Sequence, residues 1–223
     1  MLKLLDVWKD YKIDKDVVFT ALKGIDFEVK KGEFVAITGP SGSGKSTMMQ
    51  IVGLLDKPTK GEVLIEGRDA TKLNDNELSQ LRSEFVGFVF QQFNLINKLT
   101  TLENIILPTI YSRKKLSYNP EEKAKYLAER FGLTDKLKSY PNRMSGGQQQ
   151  RIAIARALIM DPALVLADEP TGNLDTKTGE EIMKLLLELN EQDGRTIVLV
   201  THESNIAAKA KRIARIVDGK IEV

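Results

Sequence analysis

Three features of the sequence predict an α/β fold with a mostly parallel sheet, an N-terminal antiparallel β subdomain and a helical insertion subdomain. Apolar runs at 34–38, 163–167 and 196–201 alternate with helix-like segments, as strands joined by crossover helices do. The first 67 residues carry several short strand-like stretches with turn residues between them. From Phe93 to Met144 the strand pattern gives way to helical spacing.

Taken in order, residues 2–7 read as a strand, and Ile25-Asp26-Phe27-Glu28-Val29 alternates apolar with polar as a half-buried strand does. The run Phe34-Val35-Ala36-Ile37-Thr38 reads as a buried strand, with a helix expected near Lys45. Residues 57–61 form a turn before the strand 62–65, which ends at Gly67. Residues 73–82 look helical, with Asn74 or Asn76 as cap, and the apolar run 85–90 follows. Asn119-Pro120-Glu121-Glu122 is a helix start with a cap, a proline at the first position and acids in the first turn. Ser145-Gly146-Gly147 opens a helix over 148–160, striped by Ile152, Ala155 and Ile159. Residues 180–192 form an amphipathic helix with Ile182, Leu185, Leu186 and Leu189 inward. Asp218-Gly219 between 213–217 and 220–223 signals a two-residue hairpin. One domain over 1–223 is expected, its core being 1–92 and 145–223 and its helical subdomain 93–144.

Gly39-Pro40-Ser41-Gly42-Ser43-Gly44-Lys45-Ser46-Thr47 fits G-x-x-x-x-G-K-[ST] and lies between a strand-like run and a helix-like one. This makes the core a P-loop NTPase core. Glycines let backbone N–H groups converge on phosphate oxygens, and the following helix adds the positive end of its dipole. Lys45 supplies a mobile charge for the β- and γ-phosphates, Ser46 a hydroxyl for Mg²⁺, and Thr47 a contact at the α-phosphate. The expected ligand is a nucleoside triphosphate with Mg²⁺.

Bulk composition narrows the function classes. The chain has 33 basic and 31 acidic residues, a net charge of +2, which gives no electrostatic footprint for nucleic acid or an anionic membrane. No apolar run approaches the roughly 18 residues of a membrane span, and Lys3, Asp6, Lys9 and Asp10 do not suit a signal peptide. A soluble, cytoplasmic protein without direct membrane insertion is expected. With no cysteine and one histidine, thiolate catalysis and cysteine-type zinc sites are excluded.

In parallel sheets, ligands bind beyond the carboxyl ends of the strands. The polar residues that break off the apolar runs are 39–45, Gln91, Asp168 with Glu169, and His202. Asp168 suits Mg²⁺ through water, and Glu169 suits a base that accepts the proton of an attacking water. His202 can donate to a γ-phosphate, and Gln91 or Gln92 can sense metal or water. Tyr11 is either a base-stacking ring or a partly buried hairpin aromatic. Ser145-Gly146-Gly147-Gln148 is a second helix start bare of bulky side chains and suited to an anion.

These residues together resemble the ABC-type ATPases, the nucleotide-binding subunits of ATP-driven membrane transporters. The phosphate loop, Gln91, Met144-Ser145-Gly146-Gly147-Gln148, 164–169, Asn173-Leu174-Asp175 and His202 occur in that family's order, so the match covers nearly the whole chain. The resemblance implies a head-to-tail homodimer around two Mg-ATP, in which Ser145 and Gly147 of one chain touch the γ-phosphate held by the other chain's Lys45. It further implies that Asp175 signals across the interface, that Tyr11 stacks on adenine, and that Gln91 rather than Gln92 is the sensing glutamine. A separate integral membrane permease would be the partner, contacted near 93–116, and the chain would sit at the inner face of the membrane through it. Met144 stands where the family usually has Leu, and Gly172-Asn173-Leu174-Asp175 replaces the commoner Ser-Ala-Leu-Asp. With Phe90-Gln91-Gln92-Phe93-Asn94-Leu95, that variant is similar to the lipoprotein-releasing, macrolide-exporting and cell-division subgroup. In the cell-division type such a subunit transmits a signal and moves no cargo.

Overall fold

The computed structural model describes residues 1–14 and 17–222. Its elements, in chain order, are β1 (Leu2–Asp14), β2 (Val17–Val29), β3 (Phe34–Thr38), α1 (Lys45–Val52), β4 (Lys60–Ile65), β5 (Arg68–Asp69), α2 (Asp75–Phe85), β6 (Val86–Phe90), α3 (Thr101–Ile106), α4 (Pro120–Arg130), α5 (Gly146–Leu158), β7 (Leu164–Asp168), α6 (Thr176–Glu191), β8 (Thr196–Val200), α7 (Ser204–Ala207), β9 (Arg212–Val217) and β10 (Lys220–Glu222). They fall into two compact units, Met1–Arg82 with Gly194–Val223, and Ser83–Asp193.

In the first unit, β1 pairs antiparallel with both β2 and β4, and β4 with β5. The inward residues Leu2, Leu4, Ile25, Val29 and Val63 are buried and their neighbours face solvent, so one face of this sheet is core. A second sheet runs β10-β9-β3-β8, in which β3 is parallel to β8 and β9. Phe34, Val35, Ala36 and Ile37 are wholly buried, the near-continuous apolar run expected of a strand covered on both faces. The hairpin β9–β10 turns on Asp218 and Gly219, both with positive φ (48° and 78°), as a two-residue turn requires. The strand expected to reach Val223 is seen to Glu222, Val223 lying outside the described residues.

Two expectations change here. The first strands are much longer than 2–7 and 25–29: β1 runs to Asp14 and β2 begins at Val17. Tyr11 therefore lies inside β1, opposite Phe19, and not after it. The helix at 75–85 is capped by Asn74, whose Oδ1 accepts from the Glu77 N–H while Glu77 accepts in turn from the Asn74 N–H.

In the second unit, β6 and β7 pair in parallel. Helix α5 buries Ile152, Ala155 and its end residue Ile159 completely, as their spacing predicts. Helix α6 begins at Thr176, earlier than expected, and its buried face is Ile182, Met183, Leu186 and Leu189. Leu185 is only half-buried. At 100° per residue it lies about 100° from Leu186, outside the stripe that Met183 joins at about 60°. Helices α3 and α4 start on capping residues, Thr100 with Glu103 and Asn119 with Pro120.

Candidate functional site

The phosphate-loop half of the site is in the first unit. Buried β3 ends at Thr38, and the chain reaches α1 through a loop whose glycines stand in conformations other residues resist, Gly39 with φ 151° and Gly44 with φ 106°. A Cβ at Gly39 would come within 2.1 Å of the Ile216 carbonyl oxygen, and one at Gly44 within 2.7 Å of the Ala21 carbonyl oxygen. Backbone bonds brace the loop from outside: the Gly219 N–H donates to the Ser43 carbonyl (3.0 Å), and the Lys23 N–H to Gly219 (2.8 Å).

Helix α1 has Gly44 at its N-cap, no side-chain cap and no acid in its first turn. Its first N–H groups and its dipole are thus uncompensated by the helix's own residues. The Lys45 ammonium reaches back across the loop to the carbonyls of Gly39 (2.9 Å) and Pro40 (2.8 Å), and no carboxylate lies within ion-pair distance of it among the described residues. Ser43 Oγ is buried with no hydrogen-bond partner. A cation, a free helix end and an orphaned hydroxyl around a glycine cradle form a site for a polyanion.

Two further predicted residues lie in this unit. The Tyr11 hydroxyl reaches Gln50 Oε1 of α1 (3.4 Å) and Asp56 (3.5 Å), with the Lys9 ammonium 5.2 Å from its ring centre. Because Ile37 of β3 pairs with Val200 of β8, Gly39 and His202 each stand two residues beyond a paired position at one sheet edge. His202 is exposed there.

The second unit holds the remaining predicted residues. Phe90 pairs with Asp168, so Gln91 and Glu169 leave the β6–β7 edge side by side. Glu169 has φ 43°, a left-handed conformation that costs a non-glycine residue energy and recurs at functional positions. Its carbonyl accepts from the Gly172 N–H (3.0 Å), closing a turn. Gln150, fully buried on α5, donates to the carbonyl of Pro170 (2.7 Å) and fixes the turn from below.

Ser145 caps α5 by accepting from the Gln148 N–H (3.3 Å), and Gln148 Oε1 accepts from the Ser145 N–H (3.1 Å). The Gln148 side chain is thus engaged with its own helix. A Cβ at Gly147 would lie 2.4 Å from Cγ2 of Thr178, and one at Gly146 3.0 Å from Leu174. The helix start is packed directly against 174–178. Asp175 caps α6, accepting from the Thr178 hydroxyl (2.6 Å) and N–H (3.0 Å). These bonds, the hydroxyl foremost, hold its carboxyl below the usual carboxylate range.

Sequence reasoning gave no individual role to three residues. Asn173 bonds to Gln91. Gln150 holds Pro170. Arg156 donates to the carbonyls of Phe93 (2.8 Å) and Asn94 (2.5 Å), two consecutive residues at positive φ. Burial lowers the Arg156 pKa. The available signal was a lone charge inside the apolar run 152–158. Beside it lies a groove of about 350 Å³ lined by Phe88, Phe90, Asn94, Pro108, Tyr111 and Met160.

Among the described residues no group of three or more His, Cys, Asp or Glu could hold a metal alone. The predicted donors Ser46, Gln91 and Asp168 are all hard oxygen ligands, the few that Mg²⁺ takes when phosphates and waters complete its octahedron. Each of these donors by itself is chemically suited to Mg-nucleotide.

Comparisons with known proteins place the chain in a family. The family described as "ABC transporter" matches residues 22–172. An uncharacterized ABC transporter ATP-binding protein of Thermotoga maritima is 53% identical over 222 residues, covering 100% of this chain and 94% of that one. The lipoprotein-releasing system ATP-binding protein LolD 1 of Rhodopseudomonas palustris is 47% identical, with 99% and 98% covered. Among solved structures, the ATP-binding cassette MJ0796 of Methanocaldococcus jannaschii, a dimer in a post-hydrolysis state bound to ADP and Pi, superposes with a TM-score of 0.90 at 49% identity, covering 100% of this chain and 97% of that one.

Proposed function

This chain belongs to the ABC transporter family of ATP-binding proteins, and on that premise we propose that it binds and hydrolyses ATP as a head-to-tail homodimer that drives a separate integral membrane permease. The observation that carries this reading is the phosphate loop: the Lys45 ammonium lying across it on the Gly39 and Pro40 carbonyls, the uncapped start of α1 and the glycine cradle.

The loop N–H groups and Lys45 hold the β- and γ-phosphates, Thr47 the α-phosphate, and Tyr11 the base. Bound Mg²⁺ supplies charge neutralisation on the phosphate oxygens, with Ser46, Gln91 and Asp168 as the residues that hold it. In hydrolysis a water oxygen forms a bond to the γ-phosphorus as the bond to the β–γ bridging oxygen breaks. Glu169 accepts the water's proton, and His202 donates a hydrogen bond to the γ-phosphate. Ser145, Gly146, Gly147 and Gln148 present the start of α5 to the γ-phosphate of the other copy. Asp175, beside Gly147 through Thr178, carries the signal at that interface. Loss of the γ-phosphate removes what joins the two copies and lets them part.

No helix among the described residues is long and apolar enough to cross a membrane, and we assign the membrane-spanning part of the machine to the permease. The groove at Phe88, Phe90 and Tyr111 is the docking place we assign to the permease. Phe90 in its wall directly precedes Gln91, and Tyr111, which also lines it, is 72% exposed. The test uses the Glu169→Gln protein with Mg-ATP as bait in detergent-solubilised membranes of its source cell. Recovery of an integral membrane protein, lost when Tyr111→Asp alters the groove, is the expected result. Recovery of only soluble or nucleic-acid-bound proteins would overturn the membrane assignment.

A further inference from the structure

Resting on the ATP-binding reading above, we propose that Asn173 is a positioning residue for Gln91, which fixes the side-chain oxygen rather than the nitrogen as the atom that Gln91 offers to the metal–nucleotide.

Asn173 Nδ2 stands 2.9 Å from the backbone carbonyl of Gln91, and Gln91 Nε2 stands 3.4 Å from Asn173 Oδ1. A carbonyl can only accept, so the Asn173 NH₂ must face it. Its Oδ1 then faces Gln91, and an oxygen without a proton can only accept, so the Gln91 NH₂ must face Asn173. Gln91 Oε1 is left as the outward atom. Mg²⁺ takes oxygen and not amide nitrogen, so a flipped amide would present the wrong atom. The backbone carbonyl thus sets the direction of the whole chain of bonds.

Gly172 supplies an independent observation. A Cβ there would lie 2.6 Å from Gln91 Nε2, 3.1 Å from Cδ and 3.3 Å from Cγ, all atoms of the same flexible side chain. The missing side chain at 172 is the space in which the Gln91 amide lies. Gly172 and Asn173 therefore act together, one admitting the amide and the other orienting it. This gives a physical role to the Gly-Asn pair that stands here in place of Ser-Ala, since Ala at 173 has no side-chain group to bond and Ser at 172 would fill the space.

Isothermal titration with β,γ-imido-ATP, which resists hydrolysis, tests this by comparing affinity in Mg²⁺ with affinity in EDTA. Asn173→Ala is expected to reduce the Mg²⁺-dependent tightening by about 10-fold, as loss of a group that orients a metal ligand does, with the EDTA affinity unchanged. Gly172→Ala, which displaces the same amide without touching the loop's own bonds, is expected to do likewise. In the Gln91→Ala background Asn173→Ala should have no further effect. Unchanged Mg²⁺-dependent tightening in both single variants, a parallel loss in EDTA, or an undiminished effect in the Gln91→Ala background would overturn the proposal. If Gln91→Ala binds Mg-nucleotide as the parent does, the metal role of Gln91 falls and the inference with it. If the parent chain binds no nucleotide at all, the ATP reading itself has failed.

Discussion

Replacing Arg156 with Met should open the turn at 93–94 while costing the fold little. Phe93 and Asn94 have φ of 59° and 50°, and holding two non-glycine residues in the left-handed region costs about 2–4 kcal/mol in all. The guanidinium offsets this through two charge-assisted bonds to their carbonyls, together about 3–6 kcal/mol. Met keeps the aliphatic packing and removes both bonds, so the turn relaxes and recovers most of the strain. The net loss by urea unfolding should then be about 1–2 kcal/mol, with the low ends of the two ranges taken together and the high ends together. Locally the effect is larger, because the bonds that opposed opening are gone. Amide exchange over 91–95 should accelerate by roughly a hundredfold, corresponding to the lower end of the lost bond energy. Arg156→Lys should not restore protection, since an ammonium cannot span two carbonyls as a planar fork does. Unchanged exchange over 91–95 would refute the reasoning, and so would full rescue by Lys.

Lys45→Ala should weaken ATP binding by roughly 10- to 150-fold, the worth of one charge-assisted contact, and calorimetric titration showing unchanged affinity would remove its assigned role. Ser145→Ala should lower stability by about 1 kcal/mol through loss of the α5 cap, leave ATP binding to the monomer intact and abolish ATP-dependent pairing; sedimentation in the presence of ATP decides. Acid should weaken the first unit through Glu33. Burial there raises its pKa, but the Arg212 bond (2.6 Å), the Lys30 N–H and their charges outweigh it, so the net shift is downward. A depressed folded pKa means the stabilisation is present above the unfolded carboxylate value and is lost as pH falls through the folded one. Urea midpoints measured from pH 6 down to pH 3 should therefore fall less steeply for Glu33→Gln than for the parent.

What could be read from the sequence was local. The buried run of β3, the glycine loop, the Ser145 cap and the Asp218-Gly219 turn each declare themselves within a few residues, because turn, cap and strand chemistry act at that range. The extension of β1 through Lys9, Asp10 and Lys12 was hidden. Charged residues dominate that stretch, and its strand state comes from pairing with β2, not from its own pattern. The Gln91–Asn173 pair joins residues 82 positions apart, and the Arg156 grip on Phe93 joins residues 63 apart. No periodicity encodes contacts of that kind. Leu185 shows a finer failure, since an apolar residue at the border of a helical stripe is assigned inward by composition and outward by 100° geometry.

On this mechanism ATP joins two copies of this chain, and Glu169 is the base whose action separates them. Light scattering on the Glu169→Gln protein at micromolar concentration, with and without Mg-ATP, addresses it directly. The 25.0 kDa chain should double in mass with Mg-ATP and stay doubled, with phosphate release nearly abolished. A monomer under those conditions, or phosphate release at the parent's rate, would contradict it.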